Sequence, residues 1–242
     1  MPNHVTNELT APKHVIDSLK SGESELDFET IVPMPEILKG NPHMGITQWA
    51  EIAMGIVNLK TLSNPTPDPV AAFKSGDYGA AAQRLSQSNA IRQMQEGPYP
   101  IDWSDEDFEQ LLQCMRALKE YGHTSWYDWS NANWGTKWNA YEVQRVSDTV
   151  IKFQTAWSMP AKWLENLVER FPGEEISIRW ADEDFGNNVG ALAVKADGSV
   201  EGGPIASGSA EAHQLAMALL HGGVIPEHMK AEADGRYSYM DD

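Results

Sequence analysis

Four tryptophans, Trp126, Trp129, Trp134 and Trp138, fall within thirteen residues of a 242-residue chain. Tryptophan joins a large apolar area to a single N–H donor, so such a cluster either fills a core or forms a stacking surface. As a surface, Trp134 and Trp138 offer rings to a planar or apolar ligand, with Asn133, Lys137 and Asn139 as polar contacts. Trp157 completes that candidate binding set. As scaffold, the same two rings plug a sheet, Gly135 permits a tight approach, and the asparagines bond loop backbone. The scaffold role is the commoner one in strand-rich domains.

Carboxylates form the second candidate chemistry. Asp105, Glu106 and Asp107 gather at a predicted helix start, where they also favour the helix dipole. Asp182, Glu183 and Asp184 follow a predicted strand. Paired carboxylates do acid/base work only inside a cleft that shifts their pKa values. The expectation is instead a solvated acidic surface facing a basic partner. No catalytic residue is assigned. The histidines at 4, 14, 43, 123, 213, 221 and 228 show no metal-binding spacing, and Cys-x-x-Cys and His-Glu-x-x-His are absent. His213 and His221 share a helix two turns apart and are expected at its surface. Phosphate-loop, dinucleotide and nucleophile-elbow glycine patterns are also missing, so neither metal nor cofactor is expected.

Charge narrows the partners. Eighteen basic against thirty-five acidic residues give −17, a field that repels nucleic-acid phosphates and anionic membranes. Direct nucleic-acid binding is not expected, although stacking aromatics on a four-stranded sheet serve RNA in other proteins. No apolar run approaches the ~18 residues of a membrane span. The single cysteine, Cys114, precludes an intramolecular disulfide, and the start lacks a basic-then-apolar leader, so a cytoplasmic location is expected.

Elements must position these groups. His4 to Thr10 alternates as a strand, and a helix follows with Pro12 in its first turn and Gly22 at its end. Leu26 to Val32 reads as extended. Between about 36 and 125 the pattern is helical. Thr47 can cap one helix, a second runs from about Asp77 to Glu96, and a third starts at the Ser104–Asp107 capping box and ends at Gly122. Phe108, Leu111, Leu112, Met115 and Leu118 mark the apolar face of that third helix. Tyr141 to Val146 and Thr149 to Trp157 suggest a hairpin, and Ser158 a cap for the helix carrying Trp163, Leu164, Leu167 and Val168. A strand over Glu175 to Trp180 and a hairpin around Asp197–Gly198 follow. The last helix spans about 210 to 221, and the polar end from Glu227 is expected to be loosely held.

The order is βαββαβ with an insertion. It predicts an α+β protein with a ferredoxin-like (split βαβ) antiparallel sheet. The sheet domain takes 1–35 and 126–206, the helical insertion 36–125, and a C-terminal helix with acidic tail 207–242.

Several segments resemble the phage- and plasmid-borne proteins with a YubB-like ferredoxin-like domain. They are Met1-Pro2-Asn3 with Asn7 to Thr10, Leu26-Asp27-Phe28 running into Ile31 to Pro35, Asn133 to Ala140, and Phe153 to Ser158. His4 and Val5 depart from the family's aromatic and cysteine. The resemblance implies the fold without an iron–sulfur cluster, a mobile-element origin, and no established activity. The function expected is a non-enzymatic accessory protein that binds a basic host protein through acidic surfaces. The alternative is a small-molecule binder or enzyme with the Trp134–Trp138 loop as pocket wall.

Overall fold

The computed structural model describes residues 2–40, 42, 44–53 and 104–240. The helix expected over Asp77 to Glu96 lies outside the described residues, as does His43. In chain order the elements are β1 (His4–Thr10), α1 (Lys13–Ser18), α2 (Met44–Ala53), α3 (Asp105–Tyr121) and α4 (Trp126–Asn133). There follow β2 (Tyr141–Arg145), β3 (Val150–Ala156), α5 (Ala161–Arg170), β4 (Ile176–Asp182), β5 (Gly190–Val194) and β6 (Val200–Pro204). The chain ends with α6 (Ala210–His221), β7 (Met229–Ala231) and β8 (Tyr237–Tyr239). It divides into two compact units, Met1–Pro33 with Ser130–Asp242, and Met34–Trp129.

In the first unit, period-two alternation sends Val5, Asn7 and Leu9 to one face of β1, all fully buried. Their cross-strand partners Thr155, Phe153 and Ile151 on β3, and Asp182, Trp180 and Ile178 on β4, share that face. The six strands run in the order β2–β3–β1–β4–β5–β6, antiparallel throughout. With α1 after β1 and α5 between β3 and β4, the first four strands give the order 4-1-3-2 of a split βαβ sheet. The sheet domain is ferredoxin-like, and β5–β6 extend it beyond β4.

Helices lie on both faces. Trp163 of α5 packs 6.5 Å from Phe153 and 4.6 Å from Phe28, which covers the Val5–Leu9 face. Ala181 points to the opposite face, where it meets Ala212, Ala216 and Leu219 of α6 and Val189. Burying side chains the size of Phe153, Val189 or Leu219 contributes about 1.5–3 kcal/mol each, and the alanines less. In the second unit α2 packs on α3. Ser104 forms the expected capping box with Asp107, and Gly122 closes α3 in the left-handed conformation.

Local expectations fail where tertiary bonds decide. Pro12 is the N-cap of α1 rather than part of its first turn, and α1 stops at Ser18, short of Gly22. Leu26 to Val32 is not extended. Asp27 caps a 3-10 turn, Phe28–Thr30, that drives Phe28 into the core. Thr47 lies inside α2, not at its cap. Ser158 caps nothing, because its hydroxyl donates to Gly135 O at 2.6 Å and α5 begins only after Pro160. Phe108 and Leu112 are exposed, and Cys114 and Ala117 take their place on the buried face of α3. The end of the chain is held as the β7–β8 hairpin, with Met229 buried and Tyr237 N–H bonded to His213 Nδ1 at 3.0 Å.

Gly190 faces Trp180 across the β4–β5 ladder, and a Cβ there would lie 2.1 Å from the indole. Gly190→Ala is therefore expected to cost about 1–3 kcal/mol through overpacking, read as a lower urea midpoint.

Candidate functional site

The tryptophan segment builds scaffold. Trp134 is 3% exposed. Its indole N–H donates to Val32 O at 2.9 Å, and its ring stands edge-on to Phe28 at 5.8 Å. Gly135 adopts φ +82 against the start of α5, where a Cβ would approach two backbone nitrogens at 3.0 Å. Trp163 N–H reaches Trp134 O, and Thr136 Oγ1 donates to Ala156 O at 2.8 Å. Asn139 is spent on chain architecture: Oδ1 accepts from Phe28 N–H at 2.9 Å, and Nδ2 donates to Asp27 at 2.7 Å. Asn133 closes α4 and is half-buried. Lys137 Nζ lies 4.7 Å over the half-buried Trp138 ring, which in turn meets Tyr141 edge-on at 6.4 Å.

Past this scaffold, one end of the sheet gathers the remaining chemistry. All three described non-glycine residues with positive φ lie there: Glu142 at +47, Trp157 at +70 and Asn188 at +45. They sit at the start of β2, after β3 and before β5. Such backbone conformations cost about 1–3 kcal/mol each and persist where surrounding bonds over-determine them. Trp157 N–H donates to Asn3 O at 3.0 Å, and Trp157 O accepts from Asn188 Nδ2 at 3.1 Å. Asn188 also donates to Asp182 Oδ2 at 2.9 Å. Asp182 Oδ1 accepts from Asn3 Nδ2 at 3.0 Å and Asp184 N–H at 2.9 Å. Asp182, expected on an acidic surface, is thus 4% exposed and acts as an internal clasp. Glu183 and Asp184 remain exposed, as does Trp157 at 52%.

Beside the clasp, His4 Nδ1 and Tyr141 Oη are 2.6 Å apart, and Tyr141 Oη is 3.3 Å from Thr155 O. Burial, then the charges of Glu183 and Glu142, raise the Tyr141 phenol above its ordinary value. In the second unit, Asp105 and Glu106 are exposed at the start of α3, and Asp107 is half-buried and bound into the capping box. Burial pushes the Cys114 thiol up to about 11, so it presents no thiolate at neutral pH.

His213 is half-buried and packed rather than free at the helix surface. Its ring covers Gly186 and meets Phe185 edge-on at 5.3 Å, while Phe185 also contacts His221. A cavity of about 420 Å³ beside it is lined by Glu232, Asp234, Arg236, Tyr237 and Ser238. Its charged groups pair internally, Ser238 with Glu232 and Arg236 with Asp234. Among the described residues no group of three or more His, Cys, Asp or Glu is placed to hold a metal ion, and no helix is long and apolar enough to cross a membrane.

The site thus joins Trp157 to Asp182 and Glu183, which the sequence places in separate candidate sets. Asn3, His4, Tyr141 and Asn188 are members that sequence reasoning missed. Only the Asn187–Asn188 pair carried a signal, since asparagine tolerates the left-handed region.

Residues 133–221 match the family model described as the ferredoxin-like domain in Api92-like protein. A crystal structure of a protein api92 from Yersinia pseudotuberculosis is 13% identical, covering 86% of this chain and 99% of that one, with a TM-score of 0.35. No curated protein matches the chain. The matched segment runs from the tryptophan scaffold through the strand-end site to the end of α6.

Asp182→Ala strands three donors and is expected to cost about 1–3 kcal/mol, measured by urea unfolding. The Tyr141 contribution to stability is whole below the ordinary phenol value of 10.0 and is lost as pH rises through the higher folded value. A phenolate absorbance titration of wild type minus Tyr141→Phe is expected to have its midpoint above 10.0.

Proposed function

We propose that the protein is a non-enzymatic binding protein whose acidic surfaces engage a basic surface on another protein. The observation that carries this reading is an asymmetry of pairing. Lys13, Lys20, Arg145, Lys162, Arg179, Lys195, Lys230 and Arg236 each sit on carboxylates of this chain. Among the described residues, Glu142, Glu183 and Asp184 at the sheet end join no ion pair, and all three are exposed. An overall charge of −17 places these carboxylates in a field that attracts a cationic surface and steers it in. A protein surface evolved to hold nucleic-acid phosphates has the required chemistry.

The internal use of residues from the tryptophan segment counts against the alternative of a pocket wall built there. Asp182, Asn139, Trp134 and Ser158 are each committed to bonds that hold chain segments together. The resemblance of the Asn133–Ala140 and Leu26–Pro35 segments to phage- and plasmid-borne proteins supports an accessory role for a mobile element, exercised in the host cytoplasm.

The test is capture of partners from host lysate by the purified protein, with washes at low and then high salt. Screening contracts from about 10 Å at 0.1 M to about 3 Å at 1 M, so a basic partner is expected to be held in the first wash and released in the second. Glu183→Lys combined with Asp184→Lys is expected to abolish that capture. Retention through high salt, or capture unchanged by the charge reversal, overturns the proposal.

A further inference from the structure

Trp157 stands out against its own strand. Thr155 and Ala156 immediately before it are fully buried, whereas its indole is 52% exposed. A bulky residue at φ +70 is a backbone outlier, and a turn that merely reversed the chain there would favour glycine or asparagine. Exposure and backbone strain both argue against tryptophan at this position on stability grounds. The position is nonetheless locked from four directions. Asn3 O takes its N–H, Asn188 Nδ2 holds its carbonyl, Thr136 Oγ1 holds Ala156 O, and Ser158 Oγ is tied to Gly135 O. A rigid backbone that projects an aromatic ring from a charged rim is the anatomy of an interface anchor.

The rim identifies the chemistry of the occupant. Glu183 N–H bonds His4 O just as Trp157 N–H bonds Asn3 O, so the two residues flank the start of β1 from opposite sides. At two strand spacings their backbones are about 10 Å apart. Asp184 follows Glu183, and Asn188 joins Trp157 to the Asp182 clasp. A planar cation suits this arrangement: a guanidinium can stack on the indole face while its N–H groups reach a carboxylate. A lysine ammonium lacks the plane and the fork.

We propose that Trp157 is the anchor of a protein-docking site that takes an arginine side chain of a basic partner, stacked on the indole and bonded to Glu183 or Asp184. This rests on the basic-partner reading and narrows it to one residue and one side-chain type.

The experiment titrates the intact, indole-¹⁵N-labelled protein with hexa-arginine and, separately, hexa-lysine, using Trp157→Asn to assign the Trp157 signal. Asparagine keeps the left-handed backbone accessible, and a melting curve confirms that the variant is folded. The expected result is saturable movement of the Trp157 indole signal, with hexa-arginine bound about two- to fivefold tighter than hexa-lysine. Trp157→Asn is expected to erase that preference while leaving salt-sensitive binding of both peptides. Equal binding of the two peptides by wild type, or an arginine preference that survives Trp157→Asn, overturns the anchor and leaves the basic-partner reading standing. Binding of neither peptide overturns both.

Discussion

The first unit depends on a junction between two segments far apart in sequence. Trp134 donates its indole N–H to Val32 O across 102 residues, and Asn139 ties Asp27 and Phe28 to the start of β2. Phe28, brought in by those bonds, contacts Trp134, Phe153 and Trp163 together. The junction joins the two segments of the sheet unit, which flank residues 34–129 in sequence. Closure entropy grows only logarithmically with loop length, by about 0.6 kcal/mol per doubling. A few buried aromatic contacts and satisfied amides can therefore offset a long insertion.

The same segment fixes the backbone on either side of Trp157. Trp134 O receives Trp163 N–H and so sets where α5 begins. One residue on, Gly135 O accepts from Ser158, and Thr136 Oγ1 donates to Ala156 O. Trp157 lies between those two anchored residues. The tryptophan segment therefore acts one step removed from solvent: Trp134 is buried so that Trp157 can be held outside.

What was legible in the sequence follows from range. Alternation in β1, β3 and β4, the Asp197–Gly198 turn and the Ser104 capping box are set by neighbours within a few residues, and each stands in the structure. The ferredoxin-like order follows from that alternation once the strands are counted. The 3-10 turn at Phe28, the late start of α5 and the order of the C-terminal hairpin are set by partners many residues away: Asn139, Gly135 and His213. A single sequence does not display those pairings. Asp182 is the sharpest case, because in the run Asp182-Glu183-Asp184 nothing local separates the buried clasp from its exposed neighbours. Strand parity could have done so, since Asp182 continues the inward series Ile178, Trp180.

A buried carboxylate in a chain of charge −17 is tolerable because several donors converge on it. Two asparagine amides and one backbone N–H surround Asp182, which satisfies the oxygens without a cation. A buried arginine partner would also have cancelled the charge of Asp182; amide donors do not. The clasp thus has two consequences from one choice of ligands. It holds Asn3 and Asn188, and through them Trp157, in a strained geometry, and it keeps the surrounding field negative. A site that presents an aromatic ring within a negative rim needs both properties at the same point, and the amide-bound carboxylate supplies them together.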